Sequence, residues 1–183
     1  MRTQFLNLVS SIQRPGIPEL ITFLENSDFF RAPASGDFHL NHEGGLVEHS
    51  LNVYNALKGI ANKYSPQTPE DSIKICGLLH DLCKTNLYVK GKKNKKISGK
   101  WHEVDTWDHD DKFPVGHGEK SAMMLLQFIS LTEEEMLGIR WHMGPWDAES
   151  WGQKRSLNAA MDQCMMVKCV MMADQVATFF MEA

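Results

Sequence analysis

His80 and Asp81 stand side by side at the end of an apolar run, IKICGLLHDLCK, and His49, His117, His142 and Asp174 are spaced through the rest of the chain. Imidazole and carboxylate are the donors that first-row divalent cations accept, with no thiolate required. Neighbouring residues on a helix lie about 100° apart, so His80 and Asp81 can share an ion only near their common edge. The remaining donors must come from elsewhere. A fold that uses four of the eight histidines this way has to bring five separated segments to one point.

Those segments read as helices. Glu43 to Tyr64 places Leu46, Val47, Leu51, Tyr54, Leu57 and Ala61 at three- and four-residue intervals, the pattern of a helix with one buried face that ends before Pro66. Thr68-Pro69-Glu70-Asp71 offers an N-cap, a first-turn proline and a carboxylate for the helix that carries His80 and Asp81 at its C-terminal end. A further helix is expected over Gly118 to Ile129. Another is capped by Thr132 and carries His142 near its end. The last is expected as one long helix from Leu157 to Phe180, with Met161, Cys164, Met165, Val167, Met171, Met172, Val176 and Phe179 as its core positions. The first 31 residues suggest two shorter helices broken at Arg14-Pro15-Gly16. Between Leu87 and Gly116 the helical pattern fails, and LYVKGKKNKKISGKWHEVD reads as a β-hairpin with a basic tip. The expected fold class is therefore all-α, with a hairpin inserted around residues 87–113.

At 183 residues without repeats or a composition shift, a single domain over 1–183 is expected. Lys plus Arg number 19 and Asp plus Glu 23, a net charge of -4 that argues against a protein that coats nucleic acid. Cys76, Cys83, Cys164 and Cys169 form no CxxC pair and read as reduced packing residues. With no signal peptide and no 18-residue apolar span, the chain is expected to be soluble and cytoplasmic, without a membrane partner.

Each histidine alone is better explained by packing than by ligation, and Asp174 alone by a helix cap or an ion pair. Jointly the balance shifts. Asp174 inside an otherwise apolar helix and His80-Asp81 after GLL are costly burials unless a cation compensates them. Asp81, with two oxygens, is the natural bridge between two ions.

Taken in order, NHEGGLVEHSLNV, GLLHDLCK, GHGEKS, IRWHMG and MMADQVA resemble the H...HD...H...H...D motifs of the HD superfamily of metal-dependent phosphohydrolases, over residues 32–178. The segment APASGDFHLNHEGGLVEHSL is similar to the opening of the HD domain in bacterial 3′-to-5′ exoribonucleases, although residues 1–31 are expected to hold no OB module. The resemblance implies an HD helical bundle in which His49, His80, Asp81 and Asp174 are the core metal ligands. His117 and His142 match the extra histidines of two-metal members such as the HD-GYP phosphodiesterases, whose GYP motif is absent here. Lys84 completes an HDxxK and matches a lysine that contacts substrate phosphate; equally, it is a favourable cation at a helix C-terminus. The implied cofactor is one or two divalent ions from among Mn, Fe, Ni, Zn, Co and Mg. The implied substrate is a nucleotide or another small phosphoester, with Asp81 and Lys84 as the catalytic pair. Two alternatives share the ligand set: a di-iron oxygenase, as in HD-fold myo-inositol oxygenases, and a non-catalytic nucleotide-binding module.

Other residues are candidates for recognition. Trp101 and Trp107 could stack a base or pack on the bundle, and the lysines around the hairpin tip could bind phosphates or nucleic acid or simply be solvated, the second reading being favoured. Arg140 is placed to meet substrate, and His42 and Glu43 to orient a ligand imidazole or to cap a helix.

Overall fold

In a computed structural model that describes residues 1–182, the regular structure comprises eight α-helices and one two-stranded antiparallel hairpin. Helices α1 (Arg2–Ser10) and α2 (Ile17–Asn26) flank the expected break at Arg14-Pro15-Gly16. They bury Phe5, Val9, Leu20 and Leu24 against the rest of the helical body. The break itself has a structural task, because Arg14 reaches across to the buried carboxylate of Glu135 at 2.6 Å.

Helix α3 (Gly45–Tyr64) turns the expected face inward, and Leu46, Val47, Leu51, Tyr54, Leu57 and Ala61 are all buried. Helix α4 (Glu70–Leu79) starts one residue later than a Thr68 cap would place it. Its N-cap is Pro69, and the Thr68 hydroxyl bonds the Ser65 hydroxyl at 2.9 Å instead. Where α3 and α4 cross, Gly77 lets the backbones approach: a Cβ there would lie 2.6 Å from Tyr54 Cα. Gly77→Ala should therefore cost about 1 to 3 kcal/mol by overpacking, in spite of alanine's better helix propensity. It should also shift His49 relative to His80, whose Nε2 atoms lie 3.2 Å apart between the same two helices. A urea midpoint equal to wild type would remove Gly77 from that role.

The hairpin pairs β1 (Tyr88–Ile97) with β2 (Lys100–His109), in register from Tyr88↔His109 to Ile97↔Lys100. Ser98 (φ 50°) and Gly99 (φ 84°) make a two-residue turn whose left-handed backbone matches the strand twist. Its base is tied down by the Trp107 indole N–H, which donates to the Asn41 carbonyl at 3.0 Å.

Helix α5 (His117–Leu125) is shorter than expected, and α6 (Glu133–Arg140) starts at a complete capping box between Thr132 and Glu135. Gly118 packs directly on the Arg140 carbonyl, so a side chain there would collide with the end of α6. This close approach sets His117, at the start of α5, beside His142, just past the end of α6.

The expectation of one long final helix is corrected. The final helix is two, α7 (Trp151–Gln163) and α8 (Met165–Val176), bent by 110° at Cys164, whose backbone is extended (φ -130°, ψ 112°). The bend resets the helical phase, so Met165, Met172 and Phe179 are exposed while Met166, Val170 and Ala173 enter the core. A π-helical turn, Ala177–Met181, follows α8. Among the described residues no single helix is long and apolar enough to cross a membrane.

Candidate metal centre

His49 lies on the first turns of α3, and Asp174 lies on α8, which packs along it. His80 closes α4 in helical conformation, and at Asp81 (φ -104°, ψ 22°) the chain turns into a short 3₁₀ segment, Leu82–Lys84. Lys84, three residues on, places its ammonium 2.6 Å from Asp81 Oδ2, so carboxylate and ammonium share one space. The structure brings all six metal-type residues together there. All are buried except His117, whose side chain is 28% exposed.

Asp81 divides the cluster. Its Oδ2 faces His49 Nε2 and His80 Nε2, each at 3.5 Å, and His49 Nε2 is in turn 3.2 Å from Asp174 Oδ1. Its Oδ1 faces His117 Nε2 at 2.7 Å and His142 Nε2 at 3.3 Å. Donors about 2.0 to 2.2 Å from a shared ion sit roughly 3 to 3.5 Å from each other, so His49, His80 and Asp81 have the spacing of a ligand set, while His117 Nε2 stands at hydrogen-bond distance from Asp81 Oδ1.

The protonation pattern points the same way. His80 Nδ1 donates to the Gly77 carbonyl at 3.0 Å and His142 Nδ1 to the Ile139 carbonyl at 2.7 Å, leaving each Nε2 as a lone pair. His49 Nδ1 is held by Glu182 at 3.0 Å. With Nδ1 protonated in each ring, His49 Nε2 and His80 Nε2 would face each other as lone pairs at 3.2 Å, and His142 Nε2 is buried with no hydrogen bond at all. Three carboxylates, Asp81, Asp174 and Glu182, meet one ammonium, that of Lys84. Burial of unbalanced negative charge around inward-facing lone pairs is what a divalent cation relieves. The residues fit one.

Left to themselves, the side chains balance this charge with a proton. Burial opposes charge on His49, but hydrogen bonds to Asp174 and Glu182 outweigh it and raise its pKa to about 9. Burial carries His80 down to about 3, with His142 and His49 adding to the effect against the pull of Asp81. Burial also pushes against ionisation of Asp81 and Asp174, yet Lys84, His80 and His117 hold the first, and His49 the second, well below the ordinary carboxylate range. Both remain acceptors.

The cluster lies on a cleft of about 690 Å³ bounded by the loop before α3, the base of the hairpin, α5, and the turns after α6 and α8. Other candidates lie elsewhere. Trp101 is exposed near the hairpin tip, and Trp107 packs at the hairpin base outside the cleft lining. Arg140 pairs with Glu119 at 2.5 Å and Asp147 at 2.9 Å, so it braces α5 and the following turn. His42 is exposed beside Glu48, and Glu43 lies 3.9 Å from Lys90, so neither holds the His49 ring. The orienting carboxylate is Glu182, which sequence reasoning missed. His39 lies beside it at 3.7 Å, and Cys83 Sγ lies 3.4 Å from His117 Nδ1. Burial, reinforced by the Asp81 charge, raises the Cys83 pKa to about 12, so it stays a thiol. Cys83 was legible only as HDLC, a cysteine two residues past the pair.

The HD domain family model matches residues 46–178. The chain belongs to the HD-domain family. It is 32% identical over 90 residues to the dihydroneopterin 2′,3′-cyclic phosphate phosphodiesterase of Methanocaldococcus jannaschii, a stretch covering 47% of this chain and 32% of that relative. The chain thus matches about a third of the relative's length. No solved structure matches.

Proposed function

We propose that this HD-domain protein is a metal-dependent phosphohydrolase acting on a small phosphoester, with a cyclic phosphodiester as the leading class. The observation that carries the reading is the split of Asp81, one oxygen toward His49 and His80 and the other toward His117 and His142, with the Lys84 ammonium 2.6 Å from Oδ2 on the cleft wall. Family membership and the relative's phosphodiesterase activity support a hydrolase of phosphoester bonds. The ligand set alone suits a di-iron oxygenase equally, and the relative's chemistry and Lys84 favour hydrolysis.

His49, His80, His117, His142, Asp81 and Asp174 would hold one or two divalent ions, from among Mn, Fe, Ni, Zn, Co and Mg. Such ions supply Lewis acidity, which polarises a phosphoryl oxygen and makes water a better nucleophile near neutral pH. Glu182 fixes the ring of His49, and the Gly77 and Ile139 carbonyls fix His80 and His142, so these imidazoles are already oriented when substrate arrives. Lys84 keeps its charge, because Asp81 outweighs the cost of burial and raises its pKa. That fixed charge faces the developing phosphoryl negative charge.

The test is turnover of phosphomonoesters, phosphodiesters and 2′,3′-cyclic phosphates with each of these metals, with oxygen uptake followed in parallel. Oxygen uptake without ester cleavage would move the assignment to the oxygenase. Lys84→Met should leave metal content near wild type and lower ester turnover about ten-fold or more, at least about 1.4 kcal/mol of transition-state stabilisation. Unchanged turnover would remove Lys84 from the mechanism.

A further inference from the structure

Three exposed aromatic rings stand on the wall of the metal cleft. Phe38 comes from the loop before α3, Trp146 from the 3₁₀ turn after α6, and Phe179 from the turn after α8. They are 83%, 74% and 58% exposed. Single exposed apolar residues are ordinary, but three rings from three distant segments converging on one opening above a charged floor are not scatter. None of the three is needed by the core, and each leaves most of its surface in water. Gln175 and Thr178 line the same wall and offer an amide and a hydroxyl beside the rings.

We propose that this rim is a stacking collar, so that the preferred ligand is a phosphoester whose phosphate enters toward Lys84 and Asp81 while a flat heteroaromatic ring lies between Phe38, Trp146 and Phe179. The inference deepens the phosphohydrolase reading and rests on it for the direction in which the phosphate points. A phosphate or bare sugar phosphate needs neither the apolar wall nor a cleft of this size, whereas a planar ring system gains from aromatic faces whatever its edge pattern. The collar sets preference for a ring; the polar pair, Gln175 and Thr178, reads its edge.

The experiment is equilibrium binding by calorimetry to the Mn-supplied protein, with adenosine 5′-monophosphate and ribose 5-phosphate as probes, alongside ester turnover. Wild type should bind the nucleotide at least about ten-fold more tightly than the sugar phosphate, the scale of one stacked base. Phe38→Ala/Trp146→Ala should erase that difference without weakening ribose 5-phosphate binding, and Trp146→Phe should restore most of it. Equal affinity for the two probes in wild type, or binding of neither, overturns the collar, as does a double variant that still discriminates. Discrimination that persists in a protein cleaving no ester with any metal keeps the collar and rejects the hydrolase, so the two failures are distinct.

Discussion

Asp81→Ala should strip the purified protein of most of its metal and lower phosphoester turnover by more than about a hundred-fold, beyond the ~10- to 100-fold typical of losing a residue that only orients a ligand. Asp81 is the one residue whose two oxygens face both halves of the cluster, His49 and His80 on one side and His117 and His142 on the other. Removing it opens both halves at once. His142→Ala, by contrast, removes a donor from one half and should reduce occupancy by about one ion, because a site can retain a cation on its remaining ligands. Elemental analysis of the three proteins makes the comparison. Asp81→Ala and the isosteric Asp81→Asn both leave the Lys84 ammonium buried without its partner, so thermal unfolding of each is measured beside its metal content to separate lost ligation from lost stability. Wild-type metal content in both Asp81 variants would refute the bridging assignment.

The second large effect lies outside the His and Asp cluster. Glu135 is fully buried and accepts four hydrogen bonds, from Arg14 at 2.6 and 2.7 Å, the Ser72 hydroxyl at 2.6 Å and the Thr132 backbone at 2.8 Å. This one carboxylate joins the break between α1 and α2, the start of α4 and the cap of α6. Glu135→Ala leaves Arg14 with no carboxylate in a half-buried position and should cost about 3 to 5 kcal/mol in denaturant unfolding. Burial alone would raise the Glu135 pKa, but the bonds from Arg14, Ser72 and Thr132 outweigh it and lower it below the ordinary 4.5. A depressed carboxylate contributes stability that is present above the unfolded value and lost as pH falls through the folded one. Wild-type stability should therefore fall as pH drops below about 4.5, and Glu135→Gln should be weaker at neutral pH with a flatter acid limb. Parallel acid limbs for the two proteins would show that another carboxylate governs the loss.

Much was legible along the chain because it is local. Periodicity at three and four residues marked the buried face of α3, Thr132 capped the helix expected after it, and loss of that periodicity after Leu87 marked the hairpin. The metal-type residues stood out for a similar reason: polar donors such as His80, Asp81 and Asp174 inside apolar stretches are conspicuous in one dimension. The structure then brings them to one place. Local chemistry did not reveal the break at Cys164, where neither proline nor glycine interrupts the run and packing alone turns α7 away from α8. Nor did it reveal partners far apart in sequence. Glu182 orients His49 across 133 positions, while His42, seven residues from His49, faces solvent. Arg140, two residues before His142 in the chain but committed to Glu119 and Asp147, shows the same gap. Composition and spacing set which helices form and which side chains could bind a cation, since both follow from short-range periodicity and donor chemistry. Which helices meet closely enough to bring His49 to His80 and His117 to Asp81 depended on crossings such as Gly77 on Tyr54 and Gly118 on Arg140, and which carboxylate steadies His49 depended on a residue 133 positions away, because such contacts are set by packing in three dimensions and not by pattern along the chain.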